Sequence, residues 1–108
     1  MLTHIVLIST SDDATDEQVE AVLAGLRALP EQIEAIATYD VGRDLGLAEG
    51  NATIAIQATF ASPSDLDAYI AHPAHQQVVT DLIRPIATSV TRAQVAGSDE
   101  RTSPVGRA

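Results

Sequence analysis

Residues 2–9, LTHIVLIS, limit the possible folds of this chain more than any other segment. Side chains along a strand alternate between two faces, and this segment alternates with apolar residues on both. The two faces are Leu2, His4, Val6 and Ile8 on one side, and Thr3, Ile5 and Leu7 on the other. We therefore predict a strand in a sheet whose two sides are both covered.

The first helix is predicted over residues 16–29. Thr15 and Gln18 form a capping-box pattern at its start. Apolar residues then follow at helical spacing. They are Val19, Val22, Leu23, Leu26 and Leu29. Pro30 is expected to end this helix, because proline has no backbone N–H and its ring clashes with the preceding turn.

The remaining elements are marked by prolines and glycines. Strands are predicted over residues 34–42 and 52–60, joined by a loop that contains two glycines. A helix is predicted to start at Ser62-Pro63, where serine can cap and proline can occupy the first turn. It should break at His72-Pro73, because a residue before proline is disfavoured in helical geometry. A further helix then runs to about residue 85, and a last strand covers residues 87–95.

The order strand, helix, strand, strand, helix, strand predicts an α+β fold, a ferredoxin-like βαββαβ protomer with an antiparallel sheet. Its helices cover one face of the sheet, whereas the strands at residues 2–9 and 52–60 are expected to carry Ile or Val on both faces. The open face then needs a partner, and the simplest partner is a second copy of the chain. We therefore expect a homodimer packed sheet to sheet.

Length and composition predict one domain and exclude several classes of function. Residues 1–96 are expected to form the domain, and the polar residues 97–108 are expected to be a disordered tail. The net charge of −9 argues against nucleic acid as a partner. All six basic residues are arginines, so lysine chemistry is excluded, and without cysteine no thiolate site is possible. No cofactor is predicted.

The N-terminus is apolar but lacks a basic segment, so it does not resemble a secretory signal. No apolar run approaches the roughly 20 residues that span a bilayer. A cytoplasmic protein that does not bind membranes is therefore the expectation.

Three histidines and two tyrosines are most of the side chains in this chain that are candidates for catalysis or for polar contacts with a ligand. His4 is predicted either as a core histidine with a hydrogen-bond partner or as an orienting group on the floor of a cavity. Tyr69 and His75 would suit proton transfer to and from an enolate. Alternatively, His72 caps a helix junction and Tyr69 is a half-buried packing residue. A metal site is not predicted, because the His72/His75 pair has no evident third ligand.

Three segments, residues 2–7, 28–44 and 60–75, carry patterns that occur together in one known family. LTHIVL resembles an opening strand, and ALPEQIEAIA followed by VGRD resembles a helix-to-strand link. The segment YIAHPAH resembles an "HPxH" motif and is the most specific of the three. On these residues the chain resembles the stress-responsive α/β-barrel (Dabb) family over about residues 2–95.

The resemblance implies a protomer that forms a homodimeric α+β barrel. A plant member of the family cyclises a linear polyketide by aldol chemistry, and its catalytic histidine and pocket tyrosine match His75 and Tyr69. Its second catalytic histidine falls on Ile54, so half of that machinery is missing here. His72, Tyr39 and Ile54 are further ligand-binding candidates.

Two hypotheses follow. The first is a homodimeric barrel that binds a small apolar or aromatic ligand without catalysis. The second is a small polyketide-cyclase-like enzyme with His75 as general base, Tyr69 as polarising group and His4 as an orienting residue.

Overall fold

A computed structural model describes residues 1–96, and the predicted tail at residues 97–108 lies outside the described residues. The described chain contains four strands: β1 Leu2–Thr10, β2 Thr38–Arg43, β3 Ile54–Phe60 and β4 Ala87–Ala96. They form one antiparallel sheet in the order β2, β3, β1, β4. This arrangement confirms the predicted ferredoxin-like fold.

The apolar strand β1 occupies the middle of the sheet, between β3 and β4. Its residue Val6 lies opposite Ile56 on one side and Arg92 on the other. Because directly opposed residues share a face of the sheet, these pairs define the face on which the helices pack. Val6 and Ile56 are buried there.

The helical elements are α1 Asp16–Arg27, α2 Leu29–Gln32, α3 Pro63–Ala71 and α4 Pro73–Val78, followed directly by a π-helical segment at Val79–Ile83. Helix α1 buries four aliphatic side chains in the single core. They are Val19, Val22, Leu23 and Leu26. The predicted capping box is confirmed: Thr15 Oγ1 accepts from the Gln18 backbone N–H at 3.1 Å, and Gln18 Oε1 accepts from the Thr15 N–H at 2.9 Å.

Three predicted boundaries are wrong, among them the start of β3, which lies at Ile54 instead of residue 52. Helix α1 ends at Arg27, and Pro30 lies in the first turn of α2, where the missing N–H of proline costs no hydrogen bond. Strand β2 begins at Thr38 instead of residue 34, because residues 33–36 form a turn in which the Ile36 N–H donates to the Ile33 carbonyl.

The break between α3 and α4 is confirmed. His72 has extended backbone angles, φ −64° and ψ 135°, between two helical segments. Farther along, the Arg84 N–H donates to the Val79 carbonyl at 2.9 Å and closes a π-type turn. Such turns are rare in proteins, and those that occur often lie at functional sites.

The face of the sheet away from the helices carries fewer large apolar side chains than expected. Ile5 and Leu7 of β1 lie there, and Leu7 is 41% exposed. In β3, however, Ile54 and Ile56 both face the helices, because they are two residues apart, and Ala55 and Gln57 face outward. The expectation that this strand carries Ile or Val on both faces is wrong.

Replacing Thr15 with Ala should lower the free energy of unfolding by about 1 kcal/mol, because the Gln18 backbone N–H in the first turn of α1 loses its acceptor. Urea denaturation of the full chain measures this change. Thr15→Ser keeps the hydroxyl and should unfold close to wild type. Equal midpoints for Thr15→Ala and wild type would contradict a stabilising cap.

Candidate functional site

A cavity of about 280 Å³ lies between the helix-facing side of the sheet and the helical elements. Its apolar wall is built by strands β1 and β3, helix α1 and the π-helical segment. These wall residues include Val6, Ile8, Leu26, Ile56 and Ile83, all of them buried. Exposed lining residues form the mouth, and they are Ile70, Gln76, Arg84, Val90 and Arg92.

His4 lies in the wall of the cavity and is only 3% exposed. Its Nδ1 accepts a hydrogen bond at 2.9 Å from the side-chain amide of Gln94, which lies opposite it on β4. The neutral ring therefore carries its proton on Nε2. Burial lowers the pKa of His4, and the positive charge of Arg92 and the nearby His75 lower it further. His4 is thus hydrogen-bonded to a neighbouring side chain and also lines the cavity.

His75 enters the same cavity from α4. Its Nδ1 lies 3.0 Å from the Ile70 backbone carbonyl, which can only accept, so this nitrogen carries the proton. Nε2 then keeps a free lone pair. Burial lowers the pKa of His75, partly opposed by the bond to Ile70, while the neighbouring His72 lowers it further. The neutral ring is therefore favoured, with one nitrogen able to accept a proton.

The ring of Tyr69 packs against that of His75 in a tilted arrangement, with the centroids 4.4 Å apart and the planes inclined by 48°. In one continuous helix, residues six positions apart would point about 120° away from each other. The extended backbone at His72 interrupts that periodicity and allows both rings to line one cavity. The juxtaposition of Tyr69 and His75 thus depends on Pro73, which enforces the break.

The hydroxyl groups of Tyr69 and Tyr39 are 2.7 Å apart, within one hydrogen bond. Burial raises the pKa of both phenols, so both remain protonated at neutral pH. Tyr39, a candidate from the sequence, does not itself line the cavity. It contacts the site through Tyr69.

Two other candidates lie outside the cavity lining. The Nδ1 of His72 accepts from the Ala74 N–H at 3.0 Å, so this histidine caps α4. Ile54 is 1% exposed within the core, and Ile56, two residues farther along the same face, lines the cavity. The structure therefore brings together His4, Tyr69 and His75, and leaves His72 and Ile54 apart from them.

Sequence reasoning missed four polar residues of the site: Gln76, Arg84, Arg92 and Gln94. Gln94 contacts His4, and the other three line the mouth. Alternation along the last strand puts Arg92 and Gln94 on one face, but which face meets His4 depends on the register between β1 and β4.

Residues 1–96 contain no group of three His, Cys, Asp or Glu side chains placed to hold a metal ion. Among the helices of that part of the chain, none has the length and apolar character needed to cross a membrane.

The model of the stress-responsive A/B barrel domain, Dabb, matches residues 2–95. The chain belongs to this family. The Dabb domain therefore includes the whole described sheet except Ala96, together with every residue of the cavity lining.

Two stress-response A/B barrel domain-containing proteins of Arabidopsis thaliana and one bacterial structure are similar to this Dabb chain. The first plant protein is 32% identical over 80 residues, 71% of this chain and 72% of that protein. The second is longer and is 31% identical over 93 residues, 83% of this chain, which spans about a third (34%) of that relative. The crystal structure of a dimeric ferredoxin-like protein from Thermobifida fusca is 35% identical with a TM-score of 0.81, covering 88% of this chain and 89% of that one.

The lowered pKa values of His4 and His75 predict that this Dabb domain loses stability on mild acidification. Below about pH 6.5 the unfolded chain takes up protons on both rings, whereas the folded chain resists protonation. The stabilising difference is complete above pH 6.5 and is lost as the pH falls through the folded-state pKa values. Thermal unfolding between pH 7.5 and pH 5 measures the slope.

The variant His4→Asn/His75→Asn removes both titrating rings and should have a shallower slope than wild type over that range. Carboxylates contribute equally to both proteins, so the difference between the slopes isolates the histidines. Parallel slopes would contradict the prediction.

Proposed function

We propose that this Dabb chain forms a homodimer in which each protomer binds a small apolar or aromatic ligand. The observation that carries ligand binding is the cavity of about 280 Å³, whose walls are mostly aliphatic and whose polar groups converge on one space. The polar groups inside the cavity are His4, Tyr69 and His75, and Gln76, Arg84 and Arg92 line its mouth. Small-molecule sites typically combine an apolar lining with a few placed polar groups.

A pair of neighbouring variants tests ligand binding. Gln76 lines the mouth of the cavity, whereas the exposed Gln77 of the same helix does not line it. The neutral fluorophore N-phenyl-1-naphthylamine should bind wild type with increased emission. Gln76→Trp should weaken this binding at least about tenfold by filling the mouth, and Gln77→Trp should leave it unchanged. Equal affinity in both variants, or no saturable binding to wild type, would overturn the proposed ligand site.

The dimer is supported by the side of the sheet without helices. Leu7 lies there at 41% exposure, and Val95 of the edge strand β4 lies there at 48%. Burying such side chains against a second copy removes apolar surface from water. The Thermobifida fusca relative is described as dimeric, which favours the same assembly here.

Light scattering tests the dimer and its surface. The wild-type chain of 11.3 kDa should scatter as a particle of about 23 kDa, twice the chain. Leu7→Glu introduces a charge into the proposed interface and should shift the mass to the monomer value. Ala21→Glu, on the exposed side of α1, should remain dimeric. A monomeric wild type, or a Leu7→Glu dimer, would contradict sheet-to-sheet packing.

A second candidate function, proton transfer on an enolisable ligand, is favoured by the protonation of His75. Its Nδ1–H is engaged by the Ile70 carbonyl, so Nε2 is the nitrogen able to accept a proton. In this reaction a C–H bond beside a carbonyl breaks, the proton moves to Nε2, and the electron pair forms an enolate. Tyr69, accepting from Tyr39, donates to the enolate oxygen, and His4 orients the ligand through its Nε2–H.

Deuterium exchange tests this second candidate. Phenylacetone in D₂O should exchange its α-hydrogens faster with wild type than with buffer, and NMR follows the loss of signal. His75→Ala should lower the enzymatic rate by about 10²–10⁴-fold. His72→Ala removes a histidine outside the cavity and should keep most of the rate. Equal rates for wild type and His75→Ala would exclude His75 as the base without affecting the ligand-binding proposal.

A further inference from the structure

The charged residues that line the cavity are all positive. Among residues 1–96 they are Arg84 and Arg92, and no aspartate or glutamate of that range lines the cavity. This is unexpected by composition, because the chain has 15 acidic residues against six arginines. The cavity therefore has the opposite charge to the protein as a whole.

Both guanidinium groups are free of carboxylate partners in the part of the chain that the structure describes. The ion pairs within residues 1–96 are both made by Arg43, with Asp16 and Glu20. Arg84 and Arg92 are exposed at the mouth, so solvent can satisfy their donors. A guanidinium group has five N–H donors in a planar fork that matches a carboxylate.

The two arginines are attached to different parts of the fold. Arg84 directly follows the π-helical segment, and its N–H donates to the Val79 carbonyl at 2.9 Å. Arg92 lies opposite Val6 on the helix-facing side of the sheet, close enough to His4 for its charge to lower the pKa of that histidine. The two arginines thus reach the mouth from the sheet and from the helical layer.

The cavity consequently has two chemically different ends. The buried end is lined by aliphatic side chains and by histidine rings whose neutral form burial favours, and the open end has two arginines that no carboxylate of residues 1–96 pairs with. A purely apolar ligand would make no favourable contact with the two arginines. A small anion without an apolar part would leave the apolar wall of the cavity in contact with water.

We infer that the natural ligand is a small apolar or aromatic carboxylate, with its hydrophobic body against Val6 and Ile56 and its carboxylate between Arg84 and Arg92. This inference rests on the proposed ligand site and specifies its chemistry. Charge-assisted hydrogen bonds from arginine to a carboxylate are stronger than neutral ones, and they fix the orientation of the ligand. The overall charge of −9 disfavours anions in general, so the binding of a carboxylate would depend on the local positive charge of these two residues.

Calorimetric titration with a matched pair of ligands tests the inference. Cinnamate has an aromatic body with a terminal carboxylate, and cinnamamide has the same shape without the charge. Wild type should bind cinnamate at least about tenfold more tightly than cinnamamide. Arg84→Gln and Arg92→Gln should each weaken cinnamate binding, and the double variant should bind both ligands with similar affinity.

Arg27→Gln is the control for charge, because it removes the same charge from α1 at a residue outside the cavity lining. It should preserve the preference for cinnamate. Thermal unfolding of each variant checks that the exposed substitutions leave the fold intact.

The possible outcomes separate the two proposals. Equal wild-type affinity for both ligands, or a preference for cinnamate that survives in Arg84→Gln/Arg92→Gln, overturns the carboxylate inference while the ligand site stands. A preference lost equally in Arg27→Gln also overturns it, because the effect would then come from net charge. If neither cinnamate nor cinnamamide nor N-phenyl-1-naphthylamine binds wild type, the ligand site itself is wrong.

Discussion

The pairing of β1 with β3 and β4 is the interaction on which the rest of the structure depends. Its register puts His4 between Ala58 and Gln94, and Val6 between Ile56 and Arg92, all on the side where the helices pack. A slip of one residue would turn these side chains to the other face and bring Ile5 and Leu7 under the helices. The burial of Val6 and Ile8 against the core therefore stabilises both the fold and the placement of the site.

A second constraint is local and comes from one proline. The peptide bond to Pro73 keeps His72 extended, ends α3 and lets α4 begin in a new direction. Tyr69 and His75 therefore meet at one cavity instead of diverging around one helix. The histidine at the break contributes a cap to α4, which explains how HPxH can hold one structural and one cavity-lining histidine.

Electrostatics divide the protein into an acidic exterior and a basic cavity mouth. Ten of the 15 acidic residues lie in the first half of the sequence, many of them exposed around α1, where Asp16 and Glu20 pair with Arg43. Arg84 and Arg92 come from the second half and remain without carboxylate partners in residues 1–96. The fold thus brings these two positive charges to the mouth of the cavity, beside histidines whose neutral form burial favours.

The sequence by itself determined the order of strands and helices, the Thr15 cap, the break at His72 and the short inventory of His and Tyr side chains. These features follow from neighbours within a few residues, through alternation, capping and proline geometry. Only the tertiary structure decided which side chains meet. The His4–Gln94 and Tyr39–Tyr69 contacts join residues 90 and 30 positions apart, and the cavity gathers arginines from two elements. Such pairs depend on strand register and on how the helical layer lies over the sheet, and neither is encoded in a local pattern.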